Sequence, residues 1–181
     1  YTTDPVINLA GHASITLEVG DRFTDPGATA TDAVDGVLTD SIVVTGSVNT
    51  AAAGTYTLTY KVSDEAGNEG TATITVNVVD TTAPVIMLTG DASITLEVGD
   101  SFIDPGATAS DTVDGDLTVD ITVTGSVDTA VVGEYTLTYN VSDDAGNAAT
   151  EVTRTVVVSD TTAPVITLTG DASITLEVGD S

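Results

Sequence analysis

The chain has no cysteine, no tryptophan, one histidine and one methionine in 181 residues. Without cysteine, disulfides, thiol chemistry and Cys-ligated metal sites are excluded. Small secreted domains often depend on disulfides, so an extracellular chain of this kind needs another support. Basic residues are nearly as scarce. Arg22, Lys61 and Arg154 stand against 28 acids, for a formal charge of −25. Phosphate binding needs clustered Lys and Arg, so nucleic acid is excluded as a direct partner, and an anionic membrane surface is disfavoured for the same reason. So acidic a chain suits a solvating surface, a salty medium or bound cations. No secretory leader and no membrane-length apolar run is visible, and no direct membrane insertion is expected. The chain opens inside a repeat, as a fragment would.

What the chain does contain, it writes repeatedly. Thr81-Thr82-Ala83-Pro84-Val85-Ile86 runs on through Leu88, Gly90, Ile94, Leu96, Val98, Gly99 and Asp100 to Ser101. The same words return over 161–181 with one change, Met87 to Thr167, and a looser copy occupies Thr2 to Arg22. Pro5, Pro84 and Pro164 mark the register. A period of about 80 residues implies tandem domains. The expected boundaries are residues 1–80, 81–160 and 161–181, the last holding only the opening strands of a third unit. Units of this size hold one modest core each, and with few aromatics it must be filled by aliphatic and Tyr side chains.

Apolar residues alternate with polar ones. Ile15, Leu17 and Val19 interleave with Thr16 and Glu18. Tyr56, Leu58, Tyr60 and Val62 interleave with Thr57, Thr59 and Lys61; Ala72, Ile74, Val76 and Val78 follow the same rule. Period two means half-buried strands with a Thr-rich wet face, and no 3.6-residue period predicts a substantial helix. Turn signals divide the strands at Gly20-Asp21, Asp25-Pro26-Gly27, Asp35-Gly36, Gly46-Ser47, Gly54 and Asp64 to Asn68, and recur in the second copy. Short strands at this spacing predict an all-β architecture of tandem sandwiches. The second copy carries one extra residue after Asn147; a bulge that absorbs it is expected to turn Arg154 outward. Tyr56 and Tyr60 are expected in the core, each phenol reaching a backbone partner.

The run Pro-Val-Ile-x-Leu, then Ile-Thr-Leu-Glu-Val-Gly-Asp, Asp-Pro-Gly-Ala-Thr-Ala, Gly-x-Tyr-Thr-Leu-Thr-Tyr and Ser-Asp-x-Ala-Gly-Asn resembles the bacterial immunoglobulin-like repeats of large surface proteins. The closing Asp-x-Ala-Gly-Asn hairpin is similar to that of the hyalin repeat. The resemblance covers essentially the whole chain. It implies an immunoglobulin-like sandwich and an extracellular or cell-surface, often adhesive, multi-repeat parent. Such repeats also serve as accessory modules of secreted enzymes. The resemblance supplies no catalytic residues, and the ligands of such proteins vary.

Sandwich connectivity brings acids together at the pole where a unit begins. In the second unit these are Asp111, Asp114, Asp116, Asp143, Asp144 and Asn147, joined by the linker acid Asp80. The first unit matches them with Asp4, Asp32, Asp35, Asp64, Glu65 and Asn68. Converging carboxylates repel one another and favour a cation. Oxygen-only ligands select a hard ion, and Ca2+ tolerates irregular loops. The same residues are also the ordinary ones of tight turns, and no EF-hand or Gly-rich calcium nonapeptide is present. A calcium-rigidified junction and a solvated acidic rim therefore both stand.

His12 is matched by Asp91 and Asp171, so it belongs to no repeated site and is expected to be exposed. No nucleophile elbow accompanies it, and paired-carboxylate glycosidase chemistry would need a cleft that small sandwiches rarely supply. The expected role is a non-enzymatic stalk, its repeats following one another along the chain. A carbohydrate- or protein-binding accessory module is the alternative, and a self-assembling filament is the third reading. Over 161–181, Val165–Leu168 and Ile174–Val178 are expected as strands whose apolar faces lack partners, inviting pairing with other copies.

Overall fold

The computed structural model describes residues 3–179. In the first copy of the repeat the alternating segments form β1 (Val6–Leu9), β2 (Ser14–Glu18), β3 (Ala28–Asp32), β4 (Gly36–Val37), β5 (Val43–Thr45), β6 (Gly54–Ser63) and β7 (Glu69–Val79). The second copy gives β8 (Val85–Leu88), β9 (Ser93–Glu97), β10 (Ala107–Asp111), β11 (Gly115–Asp116), β12 (Thr122–Thr124), β13 (Gly133–Asn140) and β14 (Val152–Ser159). Helix among the described residues is confined to two 3-10 turns, Thr39–Ser41 and Thr118–Asp120.

Each copy carries a three-stranded and a four-stranded sheet: β1-β3-β4 with β2-β7-β6-β5, then β8-β10-β11 with β9-β14-β13-β12. The second strand runs parallel to the last. Ile15 lies beside Val76 and Leu17 beside Val78; Ile94 lies beside Val156 and Leu96 beside Val158. All other pairings with a stated register are antiparallel. In the first copy Leu58, Tyr60, Ile74, Val76 and Val78 form the buried centre, and Ile7, Leu9, Ala28 and Ile42 close over it from the facing elements. This is the sandwich expected from the strand spacing, and of the immunoglobulin-like kind that the resemblance implies. Grouped by contacts, the chain forms two compact units: Tyr1–Val85 with Ala109–Asp120 and Val141–Thr150, and Ile86–Thr108 with Ile121–Asn140 and Glu151–Ser181.

Arg154 overturns one expectation. It is fully buried, and it faces Leu137 in the ladder where Ile74 faces Leu58 in the first copy. The extra residue is absorbed before Arg154 is reached. Ser142 still bridges Ala148, and the Ala149 amide donates to the Val141 carbonyl at 2.9 Å. Regular pairing resumes only at Val152 opposite Tyr139. Thr150 and Glu151 thus share the span that Thr71 alone fills opposite Lys61. Beyond this irregularity the inward and outward faces are back in phase, so Arg154 points to the core and not to solvent.

The buried guanidinium is satisfied on every side, as burial of a charge demands. It pairs with the Asp104 carboxylate, donates to the Tyr139 hydroxyl at 3.0 Å, and reaches the carbonyls of Asp91, Thr89 and Gly106 at 3.0, 2.6 and 3.1 Å. Burial works against the Asp104 carboxylate, yet bonds from Tyr139 and Gly106 and the nearby Arg154 charge hold it below its ordinary range. Burial, then Asp104, pushes the Tyr139 phenol up to about 12.

The tyrosines divide in their partners. Tyr56 donates to the Ala52 carbonyl and Tyr135 to the Val131 carbonyl, both at 2.9 Å, closing the corner typical of such sandwiches. Tyr60 reaches the Asp25 carboxylate and no backbone group, against expectation, and Tyr139 reaches Asp104.

The strands expected at Val165–Leu168 and Ile174–Val178 do not form, and residues 161–179 carry no strand. In the second copy the same words are held by β10, beside β8, and by β14, beside β9. Residues 161–179 contain neither partner, and an isolated pair of strands is marginal in water. Val165, Ile166, Leu168, Ile174, Leu176 and Val178 are all exposed.

Candidate metal centre

Two loops and a linker build the acidic site. In the loop after β3, Asp32 Oδ1 accepts the amides of Val34 and Asp35 at 2.7 and 3.0 Å; after β10, Asp111 Oδ1 accepts those of Val113 and Asp114 at 2.6 and 3.1 Å. These are Asx turns, the reason Asp opens both loops. They hold each carboxylate below its ordinary range. In the hairpin after β6, Asp64 accepts the backbone and side-chain amides of Asn68 at 2.7 and 2.6 Å, and Asp143 does the same with Asn147 at 2.6 and 2.7 Å. The Asn68 side chain, above all, lowers the Asp64 pKa.

The loops are then stitched together. Asp35 Oδ2 accepts the Glu65 amide at 3.0 Å, and Asp114 Oδ2 accepts the Asp144 amide at 2.9 Å. In the second copy Asn147 Nδ2 also donates to the carbonyls of Asp80 and Thr82, at 3.1 and 3.4 Å. That draws the linker into the site, and Asp80, Asp111, Asp114, Asp143 and Asn147 all lie in the first compact unit.

Two groups of three carboxylates result: Asp32, Asp35 and Asp64, and Asp80, Asp111 and Asp114. Within each, one oxygen per residue lies within 4.8 Å of the others. Ca2+ binds oxygens at about 2.3–2.6 Å, so oxygens sharing one ion lie up to roughly 5 Å apart. Asp32 Oδ2, Asp80 Oδ2 and Asp111 Oδ2 are buried and have no hydrogen-bond partner. A buried carboxylate oxygen without a donor is costly, and a cation is the natural complement. Burial raises the Asp80 pKa, and the charges of Asp111, Asp143 and Glu18 add to it. Val34, Asp35, Asp64, Glu65 and Ala66 line an open hollow of about 290 Å³, which Asp35 and Asp64 of the first group reach.

Not every acid expected at this pole joins a group. Asp143 is buried and its carboxylate is occupied by Asn147. Asp116 is exposed and accepts the Thr118 amide at 3.0 Å, capping the short 3-10 turn. Asp4 is exposed, and neither acid belongs to the groups of three. His12 is exposed. The alternation places Glu18 on a wet strand face, and there it bonds the linker beside Asp80. The signal was its exact recurrence as Glu97 and Glu177.

The sequence profile described as "Bacterial surface protein, Ig-like domain" matches residues 7–78 and 86–158. The chain belongs to this family. Among curated relatives of this Ig-like chain, the pesticidal crystal protein Cry22Aa of Bacillus thuringiensis is 35% identical over 162 residues, covering 82% of this chain and 21% of that protein. Hyalin of the sea urchin Lytechinus variegatus is 35% identical over 193 residues, covering 98% of this chain and 36% of hyalin. The serine-rich adhesin for platelets of Staphylococcus aureus strain MSSA476 is 31% identical over 181 residues, covering 85% of this chain and 8% of the adhesin. The chain thus spans about a fifth to a third of the first two relatives. It is a tandem Ig-like segment of an extracellular or cell-surface protein, a structural or binding module. Among the described residues no helix is long and apolar enough to cross a membrane.

Proposed function

We propose that this segment is a non-enzymatic spacer. Residues 1–80 and 81–160 act as successive Ig-like units, and 161–181 opens a third. Asp80, Asp111 and Asp114 would hold one Ca2+, and Asp32, Asp35 and Asp64 another. The ion would supply charge neutralisation and cross-linking of loops, with no chemistry on a substrate. The observation that carries the reading is a group of three carboxylates in each copy, with buried, unpartnered oxygens on Asp32, Asp80 and Asp111. The groups share the matched pairs Asp32 and Asp111 and Asp35 and Asp114, but are completed by Asp64 in one and Asp80 in the other. Near-repetition of the units also suits a part whose length matters more than any single site.

Small-angle scattering of the chain in millimolar Ca2+ and in chelator tests the spacer. The maximum dimension is expected to differ between Ca2+ and chelator. A glycan array tests the accessory-module alternative, since a specific sugar ligand would move the segment from spacer to binder.

The filament reading draws no support from residues 161–179: Val165, Ile166, Ile174 and Leu176 are exposed, and no strand forms there to pair with another copy. Sedimentation across a concentration series decides it: a monomer throughout removes the filament reading.

A further inference from the structure

Glu18 closes β2 and Glu97 closes β9. Because each strand runs parallel to the last strand of its copy, its end lies beside that strand's exit, Glu18 next to Val79 and Glu97 next to Ser159. Each carboxylate is therefore delivered to the segment that leaves the sandwich. Glu18 Oε1 accepts the Thr81 amide at 2.8 Å and the Thr82 hydroxyl at 3.1 Å, while Oε2 accepts the Thr81 hydroxyl at 2.7 Å. Glu97 repeats this with more bonds. Both its oxygens accept the Thr161 amide at 3.0 Å, Oε2 accepts the Thr161 hydroxyl at 2.5 Å, and Oε1 accepts the Thr162 amide and hydroxyl at 3.2 and 3.0 Å. Asp80 and Asp160 brace the same residues from the other side through the amides of Thr82 and Thr162, at 3.0 and 3.2 Å.

We infer that Glu18 and Glu97 are linker latches: each clamps the first two residues of the segment leaving its own sandwich, without a metal ion. Two consecutive threonines supply the clamp: at Glu97 each brings an amide and a hydroxyl to the carboxylate, and at Glu18 Thr81 brings both while Thr82 brings its hydroxyl. Ser at these positions would keep the hydroxyls, whereas Val or Ala would lose them. Each carboxylate offers two oxygens to three donors at Glu18 and four at Glu97, and ionised acceptors make the stronger hydrogen bonds. Glu18 is not one of the three carboxylates of Asp80, Asp111 and Asp114, although its charge reaches Asp80 and Asp111; its bonds to Thr81 and Thr82 are made without an ion. Its consequence is that bending of the chain begins after Thr82 and Thr162, and not at the ends of β7 and β14.

Amide hydrogen exchange of the whole chain, in chelator and in Ca2+, tests the latch. In chelator, the amides of Thr81, Thr161 and Thr162 are expected to be protected. Glu18→Ala should speed Thr81 exchange by on the order of tenfold, the loss of one charge-assisted bond, and leave Thr161 unchanged; Glu97→Ala should do the reverse. Glu18→Gln, which keeps one acceptor oxygen, should fall between. Core amides of β6 and β13 report whether each variant is folded, and Thr82→Val weakens the same latch from the linker side should an alanine variant unfold. The inference is overturned if Thr81 exchanges equally fast in wild type and Glu18→Ala, or if wild-type protection appears only when Ca2+ is added. In that second outcome the calcium reading stands and the latch falls. Protection in chelator with no response to Ca2+ leaves the latch standing and the calcium reading fallen.

Discussion

Arg154 faces Leu137 at the ladder position where Ile74 faces Leu58. One sandwich therefore fills the same inward site with a charge and the other with a hydrocarbon, around the same Tyr-to-Asp bond. Buried ion pairs are often no better than well-packed apolar residues, but breaking one strands its partner. Because Ile74 sits beside the same kind of Tyr-to-Asp bond, Arg154→Ile should cost less than Arg154→Ala, although it leaves Asp104 without its cation. Arg154→Ala, which leaves a void beside Asp104 and Tyr139, should cost about 3 kcal/mol. Urea unfolding of both variants checks this, with β12–β14 amides reporting on the second sandwich. Equal, large losses would mean that the guanidinium's bonds are indispensable.

Gly46 and Gly125 should resist substitution far more than other turn glycines. Their φ values are +100° and +97°, and a Cβ would lie 2.2 Å from the carbonyl oxygens of Thr57 and Thr136. Gly20 has a φ of +89° but open space around its missing side chain. Gly20→Ala is expected to cost about 1 kcal/mol from backbone strain alone. Gly46→Ala should cost about 3 kcal/mol, since overpacking adds to the strain. Denaturant midpoints of the two variants decide between strain and close approach as the reason for glycine.

The latch carries a pH signature. Thr161, through its hydroxyl and then its amide, lowers the Glu97 pKa from 4.5 to about 2. A carboxylate whose folded value is depressed stabilises the fold above its unfolded value. The contribution of Glu97 is therefore complete above about pH 4.5 and lost as the pH falls through about 2. A carboxyl-carbon NMR titration should give Glu97 a midpoint near 2, and Thr161→Val should raise it. A wild-type midpoint near the ordinary value of 4.5 would contradict the bonding.

Most of the fold was legible because period-two alternation is a local signal. Leu58, Tyr60, Val62, Ile74, Val76 and Val78 could be assigned inward from the sequence, and they are the buried centre of the first copy. Loop convergence followed from strand direction, which brought Asp32 with Asp64 and Asp111 with Asp80 into view. What escaped depended on atoms far apart in sequence. The extra residue after Asn147 points to a bulge that would turn Arg154 outward, and nothing local announces that Asp104 and three carbonyls await it. Asp116 was grouped with the cluster by its position, but its oxygen caps a 3-10 turn that the alternation hides. Glu18 alternates like any exposed strand residue; only its parallel neighbour β7 delivers it to Thr81.

The acidic groups should also separate by mutation. Asp111→Asn or Asp114→Asn should abolish any calcium-dependent stabilisation arising from their group, whereas Asp116→Asn and Asp4→Asn should leave it intact, since neither belongs to the groups of three. Calcium-dependent melting of the four variants is the check.

Thermal melting of the wild-type chain in chelator and in 100 dissociation constants of Ca2+, about 10 mM for an extracellular-type site of about 0.1 mM, tests the central claim most directly. Binding of one ion only to the folded state adds about 2.7 kcal/mol, which for a unit of about 80 residues raises the melting temperature by roughly 10–20 °C. The account predicts that rise, with Mg2+ at the same concentration producing much less because it demands a stricter octahedron. Identical melting temperatures in chelator and in Ca2+ would contradict it and leave the acids as turn residues on a solvated rim.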